Sequence, residues 1–150
     1  MQQKKIEPGF TYYFNDPVMG KSFSTTYYAT ARTLTTSLQA FATFSWDIAK
    51  VLTITLPQIQ NTNASSTATV LFWCNVDSTD YYVSSLDVPV GQSLNTSVII
   101  SYSHLTGVIP GGSNIKTMYL KASLSSNISG VNLINGNYAY TESGGGGPYS

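Results

Sequence analysis

The chain has 150 residues, the length of one ordinary domain, and only 9% of them are Asp, Glu, Lys or Arg. Seven basic and seven acidic residues give a formal net charge of zero. A nucleic-acid-binding protein is therefore disfavoured, because neutralising phosphates requires a clustered basic surface and the nearest approach to one is the pair Lys4 and Lys5. The 20 serines, 18 threonines and 10 asparagines predict instead a surface of hydroxyl and amide groups.

Disulfides, membrane spans and secretory signals are also disfavoured. Cys74 is the only cysteine, and its place in the apolar run 70–74 predicts a small buried side chain rather than a nucleophile or metal ligand. No run reaches the roughly 18 apolar residues that span a bilayer, so no membrane span is expected. Residues 1–10 have no apolar segment behind their basic pair, so no secretory signal is expected unless the sequence is that of a mature form.

Strand patterns follow one another along the chain. Composition predicts strands at residues 10–14 and 23–31. Residues 33–46 alternate between apolar and polar, apart from Thr36 and Phe41, which predicts one long half-buried strand or two joined at a bend. Residues 48–52 have the alternative of one helical turn with Asp47 as its N-cap, while residues 52–56 alternate again.

The second half of the chain continues in the same way. Strands are predicted at residues 67–75, 80–86 and 94–102, and the nearly continuous apolar run 69–73 predicts a central strand covered on both faces. Residues 117–124 alternate cleanly. Asn135-Gly136 separates two further runs and predicts a type I′ hairpin, with Leu133 opposite Tyr138.

These elements predict an all-β fold: a single-domain antiparallel β-sandwich of jelly-roll or related Greek-key topology, spanning residues 10–142. Residues 1–9 are interpreted as an N-terminal arm and residues 143–150 as a flexible glycine-rich tail, or an arm ordered by a neighbour. The predicted common core consists of Leu34, Leu38, Phe44, Trp46, Ile54, Val70, Phe72, Met118 and Leu120.

Catalytic and metal-binding patterns are weak. His104 is the only histidine and no G-x-S-x-G motif accompanies it, which disfavours a Ser-His-Asp hydrolase. Residues 75–80 offer oxygen ligands for calcium but lack the glycine and glutamate of an EF-hand loop, so an ordinary Asx-rich turn is favoured. We therefore expect no enzyme activity, no cofactor and no metal site.

Two kinds of surface residue remain as candidates. Asn63, Asn95 and Asn127 each begin an N-x-[ST] tripeptide, a weak indication of glycosylation. Tyr81 and Tyr82 are candidate binding aromatics, because tyrosine suits both sugar stacking and protein interfaces. The alternative is that adjacent tyrosines in a strand point to opposite faces, one into the core and one outward.

In composition and inferred architecture, residues 10–142 resemble the small single-jelly-roll components of viral or phage particles, such as turrets, spikes and decoration proteins. The resemblance implies a non-enzymatic virion structural protein that packs on the particle surface against copies of itself or other capsid proteins. The alternative is an extracellular carbohydrate-binding β-sandwich module or a phage receptor-binding adhesin, with host-surface glycans as partners. A hydrolase is the third hypothesis.

Overall fold

The computed structural model describes residues 22–106 and 114–143, which form antiparallel strands and one short 3-10 helix. The predicted strand at residues 10–14 and the arm 1–9 lie outside the described residues, as does the predicted tail 143–150 except for Ser143, which is the last residue of a strand. The elements are β1 (Ser22–Ala29), β2 (Arg32–Thr33), β3 (Gln39–Asp47), β4 (Val51–Thr55), β5 (Ile59–Asn61), β6 (Ala68–Val76), β7 (Thr79–Val88), β8 (Ser93–Leu94), β9 (Ser97–Ile100), the 3-10 helix Tyr102–His104, β10 (Ile115–Leu124), β11 (Val131–Leu133) and β12 (Gly136–Ser143).

The strands build two layers. One layer has the order β3-β10-β6-β7, and we call it the continuous sheet. The other, which we call the split sheet, has the order β1-β12-β4-β9 in one half and β2-β11-β5-β8 in the other. Each strand of one half is consecutive in the chain with its counterpart in the other half, in the pairs β1 and β2, β4 and β5, β8 and β9, and β11 and β12. The two halves are therefore made of four long strands, each interrupted once.

The strand order identifies the topology. With each interrupted strand counted once, the chain has eight strands, ordered 1-8-3-6 in the split sheet and 2-7-4-5 in the continuous sheet. This is the arrangement of two Greek keys wound into an eight-stranded jelly roll. The predicted all-β jelly-roll sandwich is confirmed.

Period-2 alternation explains where the core lies. Strand β6, for example, buries every second residue, and the buried faces of the two sheets meet in one cluster. All of the predicted core residues are buried except Leu38, which is half-buried at the bend before β3. The ring of Phe44 bridges the layers, with its centroid 4.8 Å from that of Tyr27 and 4.8 Å from that of Tyr140.

Local predictions around β3 and β6 are refined by the structure. Residues 33–46 form two strands joined by a bend, the second of the two alternatives. Asp47 accepts a hydrogen bond from the Ala49 N–H at 3.0 Å in a tight turn, and β4 follows at once without a helix. Strand β6 is central in its sheet, but only one of its faces is fully buried, because Leu71 and Trp73 remain partly exposed on the other.

The predicted hairpin at Asn135-Gly136 is wrong. Strands β11 and β12 do not pair with each other; β12 pairs with β1 and β4, and β11 pairs with β2 and β5. The Asn135 amide donates a hydrogen bond to the Tyr28 hydroxyl at 3.0 Å, beside the point where the ladder resumes at Gly136. Pairing on both sides with long neighbours satisfies more backbone groups than a two-stranded hairpin would, and it outweighs the local turn preference.

Candidate functional site

The outer face of the split sheet holds no charged side chain among the described residues. Residues opposite each other in a ladder share a face, so the partners of Thr53, which are Ile99 on β9 and Thr141 on β12, lie beside it. We call the part of this surface formed by β1, β12, β4 and β9 the charge-free face; it consists of Thr26, Tyr28, Val51, Thr53, Thr55, Ser97, Ile99, Asn137, Ala139, Thr141 and Ser143.

Ile99 is the most prominent apolar group on the charge-free face. Its side chain is 60% exposed at the edge strand β9, more than any other large apolar residue that the structure describes. Around it the face is formed mainly by threonine and serine hydroxyls, each of which both donates and accepts hydrogen bonds. The surface is therefore uncharged and able to hydrogen-bond with a partner of the same kind.

A cleft of about 340 Å³ lies at the flank where the edge of the split sheet meets edge strand β3. The Thr30 N–H donates to the Phe41 carbonyl at 2.9 Å, and the Arg32 Nε–H donates to the Ala40 carbonyl at 2.9 Å, which ties the two edges together. We call it the flank cleft; its lining is Tyr28, Thr30, Arg32, Ala40, Phe41, Ala42, Thr43 and Tyr119.

Arg32 supplies the charge of the flank cleft. Its Nη1 also donates to the Ala31 carbonyl at 3.1 Å, so backbone oxygens hold the guanidinium in place. Within the described chain, the ion pairs join Lys116 to Asp77 and Lys121 to Asp80, and no carboxylate is paired with Arg32. The guanidinium thus keeps hydrogen-bond donors that no acidic side chain of the described residues satisfies.

Two tyrosine rings are exposed at the flank cleft. Tyr28 is 56% exposed and Tyr119 is 42% exposed, one from each sheet. Tyr28 belongs to a pair of adjacent tyrosines in the sequence, whereas neither Tyr119 nor Arg32 stood out there as a binding residue. Alternation does place Tyr119 on the solvent side of β10, but only the meeting of the β1 and β3 edges brings the three residues together.

The predicted binding aromatics behave differently from each other. Tyr81 is 8% exposed and belongs to the core, because strand alternation turns it inward, so it offers no surface for a ligand. Tyr82 is 48% exposed and makes an edge-to-face contact with Trp73, with ring centroids 5.4 Å apart. It lies on β7, at the opposite edge of the continuous sheet from the flank cleft.

The three N-x-[ST] asparagines occupy loops with different surroundings. Asn95 and Asn127 are exposed, whereas the Asn63 amide is engaged. Its Nδ2 donates to the Ser129 carbonyl at 3.0 Å, and its Oδ1 accepts from the backbone of Ser65 and Ser66. A glycan on Asn63 would compete with this donation, so the amides of Asn95 and Asn127 are the more accessible ones.

The candidate calcium run forms a tight turn between β6 and β7. Asp77 and Ser78 have φ angles of 52° and 66°, as a type I′ turn requires. The Asp80 carboxylate lies 3.0 Å from Lys121 and accepts a hydrogen bond from the Asn75 amide. Among the described residues no group of three or more His, Cys, Asp or Glu side chains converges on a metal site.

His104 and Cys74 both have structural roles. The Nδ1 of His104 accepts a hydrogen bond from the Ser101 N–H at 3.2 Å and so closes the 3-10 helix. Cys74 is fully buried in β6, and burial raises the pKa of its thiol to about 12. The thiol therefore remains protonated at neutral pH, which agrees with the predicted packing role.

No helix in residues 22–106 and 114–143 is long and apolar enough to cross a membrane.

Comparisons with known proteins relate this chain to others through fold alone. No family model matches the sequence, and no curated protein matches it. A chain of the T13 particle of infectious bursal disease virus (IBDV) is similar in fold, with a TM-score of 0.55 and 9% identity over 98% of this chain and 36% of that chain. Its likeness supports the all-β jelly-roll class.

Two weaker likenesses have TM-scores below 0.5. A chain of the infectious bursal disease virus Gt strain gives 0.46, with 12% identity over 99% of this chain and 39% of that chain. A chain of the disulfide-linked pili of Bacillus endospore appendages gives 0.39, with 10% identity over 89% of this chain and 97% of that chain. The present chain thus spans little more than a third of the viral chains.

Proposed function

We propose that this protein is a non-enzymatic structural component of a virion, which works on the particle surface by packing against copies of itself and other capsid proteins. The observation that carries the proposal is the charge-free face, the outer surface of one half of the split sheet, which holds no charge among the described residues. The jelly-roll strand order supports it, because this fold serves as a building block of viral capsids.

The chemistry of the charge-free face suits contact with a second copy. In a two-fold interface each residue near the axis meets its own counterpart, so a lysine or glutamate there would face a like charge. A hydroxyl has no such conflict, because it donates to one partner and accepts from another. Thr53 at the centre and Ile99 at the edge therefore fit a self-complementary contact with an apolar rim.

The likeness to a chain of the IBDV particle favours a virion over other extracellular locations.

The absence of enzyme activity is proposed from the positions of the two reactive side chains. His104 uses its Nδ1 within its own turn, and the Cys74 thiol is buried with a raised pKa. Neither side chain is placed as an activated nucleophile or base.

Sedimentation velocity on the full chain tests assembly. We expect a closed oligomer in a concentration series reaching about 1 mM, and we expect Thr53→Lys and Ile99→Lys to weaken self-association at least about tenfold, because an unpaired ammonium is costly to bury. Val90→Lys is the matched control, since Val90 is 41% exposed but lies off the charge-free face. A monomer throughout the series, or equal effects of all three variants, would overturn the proposal.

The second candidate function is a carbohydrate-binding module or adhesin, which the flank cleft favours. Its exposed tyrosine rings and threonine hydroxyls are the groups with which proteins bind sugars. A chain that binds glycans and never associates with other chains would replace the assembly proposal with this one.

A further inference from the structure

We propose that the flank cleft binds a carboxylate-bearing sugar, a sialic or uronic acid unit of a host-surface glycan, with Arg32 as the carboxylate ligand. The inference deepens the second candidate function, and the flank cleft shares only Tyr28 with the charge-free face. It joins three observations: an arginine held by backbone oxygens without an acidic partner among the described residues, two exposed aromatic rings, and a cleft of small-ligand size.

The Arg32 guanidinium is preorganised to bind an anion. The bonds from its Nε to the Ala40 carbonyl and from Nη1 to the Ala31 carbonyl use two of the five guanidinium N–H groups and fix the plane of the group. Three N–H groups remain, and the flat guanidinium matches the two oxygens of a carboxylate. The cleft lining contains no Asp or Glu, so an incoming acid meets no like charge there.

The neighbouring side chains suit the rest of a sugar ring. Tyr28 and Tyr119 expose 56% and 42% of their surface, and aromatic faces pack against the C–H groups of a pyranose. The bond from Asn135 to the Tyr28 hydroxyl limits the motion of that ring, which lowers the entropy lost on binding. Thr30 and Thr43 add hydroxyl groups to the lining.

The size of the flank cleft limits the ligand. Its volume of about 340 Å³ lies at the lower end of the range for small-molecule sites, which suits one sugar unit at the end of a chain. A single open subsite of this kind binds weakly, so we expect dissociation constants of roughly millimolar order. Several copies on one particle would raise the overall avidity without any new contact.

Ligand-observed NMR titration of the full chain tests the inference, with four probes: the methyl glycosides of N-acetylneuraminic acid and glucuronic acid, methyl glucoside as the neutral control, and acetate as the bare carboxylate. We expect at least one acidic glycoside to bind at least about tenfold more tightly than both controls, through the charge-assisted pair. The stronger of the two acidic glycosides identifies the sugar class. Equal binding of acidic and neutral glycosides, or no binding of either acidic one, would overturn the proposal.

Variants locate the site. Arg32→Gln should weaken binding of the acidic glycoside at least about tenfold and leave neutral sugars unchanged, whereas Arg32→Lys keeps the charge and should lose less. Tyr119→Ala should weaken binding of the acidic glycoside, while Tyr82→Ala, an exposed tyrosine at the far edge of the sheet, is the control that should not. A full effect in Tyr82→Ala and none in Tyr119→Ala would place the sugar elsewhere.

Thermal melts and sedimentation of the same variants distinguish a loss of folding or of assembly from a loss of sugar binding. If Arg32→Gln fails to fold, because it loses the bond to Ala40, the decision passes to Tyr119→Ala and Arg32→Lys. Acidic-sugar binding that is undiminished in both would overturn the proposal. A chain that assembles but binds no sugar contradicts this inference alone, and one that binds acidic sugars but stays monomeric contradicts the assembly proposal alone.

Discussion

Asn61 shows how much one buried amide contributes to this fold. It is 1% exposed, and its Nδ2 donates to the carbonyls of Ser66 at 2.8 Å and Val88 at 2.9 Å. Its Oδ1 accepts from the Asn63 N–H at 2.9 Å. One side chain thereby joins the loop after β5 to the end of β7, and both amide hydrogens and one of the two lone pairs of Oδ1 have partners.

Removing this amide should be strongly destabilising. Asn61→Ala leaves two carbonyls and one N–H without their partners, and we expect it to lower the free energy of unfolding by about 2 to 4 kcal/mol. Urea denaturation of the full chain measures the loss. Asn95→Ala is the matched control, since Asn95 is exposed, and it should change stability by less than about 0.5 kcal/mol. Similar losses in both variants would contradict the role of the network.

The sequence predicts the exposure of single residues better than their partners. Alternation separates the inward Tyr81 from the outward Tyr82, which is the second of the two interpretations considered for that pair. It does not predict that Arg32 and Tyr119 line the same cleft, because these residues come from strands far apart in the chain and their proximity depends on which sheet edges lie side by side. The flank cleft is therefore a product of topology rather than of any local motif.

At the scale of elements, most strands are predictable because each buries one face and alternates along its length. The exception is the Asn135-Gly136 hairpin, where a strong local signal lies inside a long strand. The chain there passes between two neighbours, and pairing with both of them is a long-range property that a window of ten residues does not contain. Turn chemistry alone therefore does not determine strand order.

The contact between the β5–β6 and β10–β11 loops gives a second prediction. Gly130 has a φ of +84°, and a Cβ at this position would lie 2.7 Å from Thr62 Oγ1 and 3.2 Å from the Asn63 nitrogen. Thr62 binds the Gly130 carbonyl through both its N–H and its hydroxyl, so the threonine is not free to move away. Gly91 has a similar φ of +76° but no atom within 4 Å of its Cβ position.

We expect Gly91→Ala to lower stability by about 1 kcal/mol through backbone strain alone. Gly130→Ala should lose at least about 1 kcal/mol more, because steric overlap adds to the same strain. Chemical denaturation of the two variants side by side isolates the loop contact, since both replace a glycine of positive φ. Equal losses of stability in the two variants would show that the two loops can move apart without a cost in the free energy of unfolding.

At the scale of the whole molecule, the scarcity of charge sets the response to pH. Burial acts to raise the pKa of Asp80, but the hydrogen bond from Asn75 and the hydrogen bond and charge of Lys121 outweigh it, so the pKa lies below its ordinary value. The stabilisation from this carboxylate is present above about pH 4, the ordinary pKa of aspartate, and is lost as the pH falls through the lowered value. The side chain is partly exposed, so solvent weakens the effect.

Stability should therefore decline only slightly in acid. We expect melting temperatures at pH 3 and pH 7 to differ by less than about 10 °C, with the lower value at pH 3. Asp80→Asn should reduce this difference, whereas Asp87→Asn, which removes a carboxylate bound to the Thr69 hydroxyl at 2.7 Å instead of to a lysine, should reduce it less. A fall of more than about 20 °C would reveal strongly coupled native carboxylates.

The interruptions in the split sheet have a mechanical consequence. They fall side by side, at residues 30–31, 56–58, 95–96 and 134–135, so they form a crease across all four long strands. Within the crease, single hydrogen bonds, such as those from the Ile134 N–H to the Gln58 carbonyl and from the Leu56 N–H to the Thr96 carbonyl, join neighbouring strands, whereas full ladders run on either side. We therefore expect the sheet to bend more easily along this crease than within either half, so that in the proposed assembly the protein could adjust its curvature to neighbours set at different angles while both halves keep their ladders.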